Sequence, residues 1–145
     1  MQELKAVWTV SSDPSGKNLV DKINIALAIY QDMGLTKQGS AMLVGNFISE
    51  SGLDPLNCLG DGGTACGLGQ WRFARQEGMP QIYEEQLKWA VEVEMVRDTG
   101  GHQLKASLYD PNASIEVIYE GLRQWERWGV AGDRYNIGQA ILAQI

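Results

Sequence analysis

The residue best placed to do chemistry is Glu50. It stands at the end of an apolar stretch, "GNFISESG", just before a glycine-rich loop that runs on to "DGGTACGLGQW". On a helix, Asn46 lies one turn earlier and Leu43 two turns earlier, so the three share a face. Val44 and Phe47 flank that face and point to a core. Glu50 therefore sits on the border between a packed interior and an open loop. Burial disfavours the charged form of a carboxyl and raises its pKa. A glutamic acid still protonated near neutral pH can hand a proton to a leaving oxygen. Position by itself favours an ordinary helix-end glutamate, so the surrounding residues have to decide.

The elements that must mount this acid are mostly helical. Leu19, Val20, Ile23, Ala26, Leu27 and Tyr30 follow helical spacing, with Gly34 as the stop. Thr36 is placed to cap the next helix, whose stripe is Ala41, Val44, Phe47 and Ile48 and whose end falls near Ser51–Gly52. Residues 53–66 read as loop, with a short hairpin at "GDGG". Pro80 is expected to open a helix of about five turns, with Ile82, Leu87, Val91 and Met95 inward and Gly100–Gly101 as its stop. Asn112 is expected to cap a fourth helix through "LRQWERW", and Asp133 a fifth. Residues 1–17 read as an extended, polar lead-in, and no linker divides the chain, so residues 1–145 form one mainly α domain.

Composition narrows the classes. The 145 residues are 44% hydrophobic and 21% charged, as in globular proteins. The net charge of −6 argues against a nucleic-acid binder, which needs a basic face. No apolar run reaches the roughly 18 residues of a membrane span, and the first residues lack the basic start and apolar core of a secretory signal. Cys58 and Cys66 have no histidine near them to complete a zinc site. They fit a disulfide and two free thiols equally. No metal or organic cofactor is suggested.

Glu50-Ser51, Pro55, Ala65, Gly67-Leu68 and Gln70 resemble the catalytic signature of the lysozyme-like superfamily, including soluble lytic transglycosylases and goose-type lysozymes. The longer string over residues 45–71 resembles the phage tail lysozyme family more closely still, and "LRQWERW" followed by Arg134 resembles that family's C-terminal helices. The resemblance implies an α+β lysozyme-like fold of five to seven helices around a central helix, with a small irregular or hairpin loop walling a substrate cleft. It implies bacterial peptidoglycan as substrate and Glu50 as general acid at the β-1,4 bond between N-acetylmuramic acid and N-acetylglucosamine. Ser51 is then expected to orient the acid or the substrate, and Gln70 to offer its amide to a sugar N-acetyl group. Gly67 and Gly69 are expected to let a sugar approach, and Leu68 to anchor the segment.

A second carboxylate is less determined. Asp61, on the loop, could steer water or stabilise an oxocarbenium-like transition state, or simply form a turn in "GDGG". Thr64 could position a water. If neither acts, Glu50 alone can donate and then accept a proton while the sugar's 6-hydroxyl closes a 1,6-anhydro ring. Trp71 could wall the cleft or fill the core. Trp89 is expected in the core, and of Trp125 and Trp128 one in the core and one at the cleft mouth. Arg72 or Arg75 could meet substrate carboxylates or be plain surface residues. "RYNIG" at 134–138 resembles a cleft-closing element of lytic transglycosylases and is expected mainly to pack. The resemblance implies a phage particle component or a lysis enzyme, with other virion proteins as partners and no insertion into a membrane. The contrasting reading is a non-catalytic lysozyme-like virion or wall-binding domain.

Overall fold

The computed structural model describes residues 18–145; the expected lead-in, residues 1–17, lies outside the described residues. Helix α1, Leu19–Asp32, starts where Asn18 accepts from the Asp21 amide and buries Leu19, Ile23, Ala26, Leu27 and Tyr30. Helix α2, Lys37–Ser51, is capped by Thr36, whose hydroxyl accepts from Gly39 N at 2.9 Å. Gly52 ends it in the left-handed conformation, φ 69°, where the missing Cβ removes the steric penalty. From Gly39 to Ile48 every residue of α2 is buried. It is thus the central helix, and Glu50 lies at its end.

The loop after α2 makes a 3-10 turn, Asp61–Gly63, and a two-stranded antiparallel sheet, β1 Ala65–Cys66 and β2 Trp71–Arg72, with Cys66 opposite Trp71. The hairpin therefore turns through "GLGQ". The expected hairpin at "GDGG" is instead a 3-10 turn closed by a bridge between Gly60 and Ala65. A disulfide joins Cys58 to Cys66, which restricts the loop in folded and unfolded states alike. A second 3-10 turn spans Phe73–Gln76.

Helix α3, Tyr83–Trp89, begins three residues after Pro80 and continues through a π-helical turn, Ala90–Glu94, into α4, Met95–Arg97. Leu87, Val91 and Met95 are buried as expected, but Ile82 precedes the helix and is 58% exposed. After a 3-10 turn, Thr99–Gly101, comes a helix that periodicity did not reveal, α5 His102–Leu108. Helix α6, Ile115–Glu126, is capped by Ser114 rather than Asn112, through a bond from Val117 N. Helix α7 is Arg134–Leu142; Asp133 precedes it but makes no side-chain cap bond.

Helices α2 and α7 cross at backbone contact. A Cβ on Gly45 would lie 2.6 Å from Gly138 N and 2.8 Å from Gly138 Cα, atoms that cannot swing aside. This closeness brings the first turn of α7, with Arg134, against the last turns of α2. Gly45→Ala should therefore destabilise the fold by about 1–3 kcal/mol, seen as a lower midpoint in chemical unfolding. A midpoint equal to wild type would show that the crossing has slack.

Candidate active site

The last two turns of α2 and the first turn of α7 form one polar cluster. Arg134 is 5% exposed, and its Nη1 donates both to Glu50 Oε1 and to Asn46 Oδ1, each at 2.7 Å. Its Nε donates to Ala131 O at 2.6 Å, and its guanidinium lies 4.1 Å from the centre of the Trp128 ring. Cation–π stacking of this kind strengthens where water is excluded. Asn46, fully buried, uses its amide nitrogen on Glu126 Oε2 at 2.8 Å. A continuous chain, Glu50–Arg134–Asn46–Glu126, so links α2, α7 and the end of α6.

The two carboxyls in this chain have different surroundings. Glu50 keeps 17% of its side chain exposed. Burial raises its pKa most strongly, the Arg134 bond and charge pull it down, and Asp61 pushes it up; the net direction is upward. With Arg134 on Oε1, Oε2 is the oxygen free to carry a proton toward the cleft. Glu126 is pushed well above the usual carboxylate range, first by burial and then by the charge of Glu50, against opposing effects of Asn46, Arg75 and Arg134. Its Oε1 is enclosed with no hydrogen-bond partner. A neutral carboxyl is the form that such a site favours.

These groups line a cleft of about 580 Å³, together with Gly60, Asp61, Gly69, Gln70, Phe73, Val130 and the arginines 72, 75 and 127. Five non-glycine residues among those described have positive φ: Leu53, Asp61, Gln70, Phe73 and Arg127. Four of the five line the cleft. Backbone strain of this kind gathers at functional sites, where surrounding structure holds residues in unfavoured conformations.

Of the residues expected from the sequence, the structure brings Glu50, Asp61 and Gln70 to the cleft. Asp61 is 58% exposed and pairs with Arg72 at 3.4 Å. Gln70 spends its amide within the loop: Oε1 accepts from Gly60 N, and Nε2 donates to Asn57 O and Gly67 O. Ser51 lies under the cleft, not in it. Its hydroxyl is 3.0 Å from Phe47 O and 2.9 Å from Leu68 O, so one proton serves helix and loop carbonyls in turn and pins the loop to α2.

Three expectations need correction. Trp71 does not wall the cleft: it is 1% exposed and packs edge-on against Phe47 and Trp89, with Trp125 tilted beside it. The reason is register, since opposite Cys66 its side chain falls on the core face of the hairpin. Gly67 gives room to protein and not to sugar, because a Cβ there would meet Met79 Sδ at 2.7 Å and Gln86 Oε1 at 2.9 Å. Thr64 is exposed outside the cleft lining, its hydroxyl donating to Asp61 O. The large apolar side chains that do reach the cleft are Trp128, Phe73 and Val130. Trp89 and Trp125 are buried in the core and Leu68 anchors the loop, as expected.

Sequence reasoning missed Glu126, since nothing in "LRQWERW" distinguishes it from a solvated helix-end acid. It also missed Gln86, fully buried, which accepts from Leu68 N at 2.7 Å and donates to Pro55 O and Pro80 O. One buried amide thus fixes both ends of the loop.

An acid at the end of a buried central helix, facing a cleft walled by a small hairpin loop, defines a lysozyme-like, mainly helical protein. A family model for phage tail lysozymes matches residues 23–141, and the chain belongs to that family. The protein is accordingly lysozyme-like, phage-associated and peptidoglycan-acting. No curated protein and no solved structure matches it. No helix among the described residues is long and apolar enough to cross a membrane.

The position of Glu126 gives a test. Its folded pKa lies above its unfolded one, so between those two values the folded state binds more protons and stability falls as pH rises. Glu126→Gln mimics the neutral form and keeps an acceptor for Asn46. Thermal unfolding between about pH 5 and 8 should show a flatter pH dependence for the variant than for wild type, with the variant the more stable at the alkaline end. Parallel curves would mean that Glu126 ionises freely in the fold.

Proposed function

We propose that the protein cleaves the β-1,4 bond between N-acetylmuramic acid and N-acetylglucosamine in peptidoglycan, with Glu50 as general acid. The observation that carries this is the half-enclosed Glu50 carboxyl in the cleft, one oxygen fixed by Arg134 and its pKa raised, in a chain of the phage tail lysozyme family. Glu50 protonates the glycosidic oxygen as the bond from the anomeric carbon breaks. In the muramidase reading, water then adds to that carbon, and Asp61 is the carboxylate able to steer it. Ser51 and Gln70 act in this reading by holding the loop that forms the cleft wall, and the sugar faces stack on Trp128 and Phe73.

A second reading, lytic transglycosylation, draws on the state of the other acids. Asp61 is tied to Arg72, and Glu126 is enclosed and favours its neutral form. Neither is a free base beside Glu50. The sugar's own 6-hydroxyl would then attack the anomeric carbon and return its proton to Glu50, leaving a 1,6-anhydro product one water lighter than a reducing end. The mass of the released muropeptides decides between the two.

Glu50→Gln should lower the rate of sacculus solubilisation by roughly 10²–10⁴-fold; equal rates would refute the acid's role. Wild-type protein that binds sacculi and releases no muropeptides would instead support a non-catalytic wall-binding domain. Asp61→Asn separates a catalytic from an electrostatic role. Asp61 raises the Glu50 pKa, so its removal should move the alkaline limb of the pH–rate profile to lower pH, because Glu50 must be protonated to act. A fall beyond about 10²-fold at the optimum would instead mark Asp61 as a second catalytic group.

A further inference from the structure

Beside the cleft lies a second hollow of about 610 Å³, lined by Arg123, Gln124, Arg127, Trp128, Gly129 and Ala131. Arg127, Trp128 and Gly129 border both, so the two spaces adjoin. The chain has six arginines; four line the cleft and Arg123 adds a fifth in the hollow, while no lysine lines either. The cleft also carries three carboxyls, but the hollow carries none. In a chain of net charge −6 this gathers five of the six guanidinium groups on one surface, two of them balanced from outside the lining by Glu120 and Asp98.

The backbone points the same way. Arg127 ends α6 with φ 54°, a left-handed position that glycine occupies at less cost. The helix end itself gains nothing from a side chain here, and Arg127 carries one at a conformational cost. Its Nη2 is fixed by Asp98 Oδ1 at 2.6 Å, yet 49% of the side chain stays exposed. Arg123 is similarly oriented by Glu120, through bonds of 2.9 and 2.5 Å, and is also about half exposed. Both guanidinium groups are directed and reachable.

A peptidoglycan strand lying in the cleft cannot keep its peptide stems there. Each stem leaves the muramic acid sideways through a lactyl ether and carries carboxylates. We propose that the hollow at Arg123 and Arg127 is a subsite for a stem carboxylate, a role suited to planar guanidinium groups. This rests on the reading of the protein as a peptidoglycan-cleaving enzyme.

The experiment compares cutting rates on sacculi with free stem carboxylates and on sacculi whose carboxylates have been amidated. An acidic protein without such a subsite would work faster on the amidated wall, since its charge is no longer repelled. With the subsite, wild type should slow by roughly fivefold, the scale of one half-exposed ion pair. Arg127→Gly relieves the left-handed strain, so its fold should survive, as a thermal melt will report; it and Arg123→Gln should lose that slowing. A wild type equally fast or faster on the amidated wall, or variants that keep the wild-type ratio, would overturn the subsite while leaving the cleavage reading intact. A wild type that cuts neither substrate would overturn both.

Discussion

Everything at the site depends on how closely α2 and α7 approach. With Gly45 facing Gly138, the helices meet at backbone distance, and Arg134 can reach Asn46 and Glu50 from a buried position. A buried guanidinium is costly unless its donors are matched. Here Nη1 meets two oxygens, Nε meets a carbonyl, and the flat face meets Trp128. The packing of two helices and the electrostatic state of the acid are one constraint: a shift in the first moves the cation that moderates the second.

The site holds more carboxyl than it can ionise cheaply. Glu50 and Glu126 are joined through Asn46 and share the influence of one cation. Two coupled acids in a poorly hydrated place divide unequally, and their protonation belongs to the pair. Enclosure falls harder on Glu126 and raises its pKa further, while the direct bond of Arg134 goes to Glu50. Glu50 remains the acid open to the cleft. Any ligand that displaces water from the cleft adds to the burial that already raises it.

Much of this was legible in the sequence where periodicity or spacing carried it. The boundaries of α1 and α2, the Thr36 cap, the Gly52 stop and the placing of Glu50 at a core–loop border all come from local rules. The features that stayed hidden depend on register or distant pairing. Trp71 reads equally as cleft wall or core until the hairpin fixes which face it takes. The glycine at 67 looks like space for sugar until Met79 and Gln86 arrive from across the fold. Helix α5 is too short for its spacing to stand out. Glu126 becomes informative only when α6 ends against Asn46, eighty residues away in sequence.

The π-helical turn at Ala90–Glu94 has a consequence for how this scaffold tolerates length changes. Such a turn holds an extra residue within an otherwise α-helical run. Here it places Glu94 where Oε1 receives both Arg75 and the Trp125 indole. Loss of one residue from this segment would let the turn wind regularly while the helix beyond it keeps its facing. Glu94, inside the turn, is the residue that would be displaced, and Arg75 would lose its anchor in the cleft wall. The segment can thus exchange side chains more readily than it can change its count.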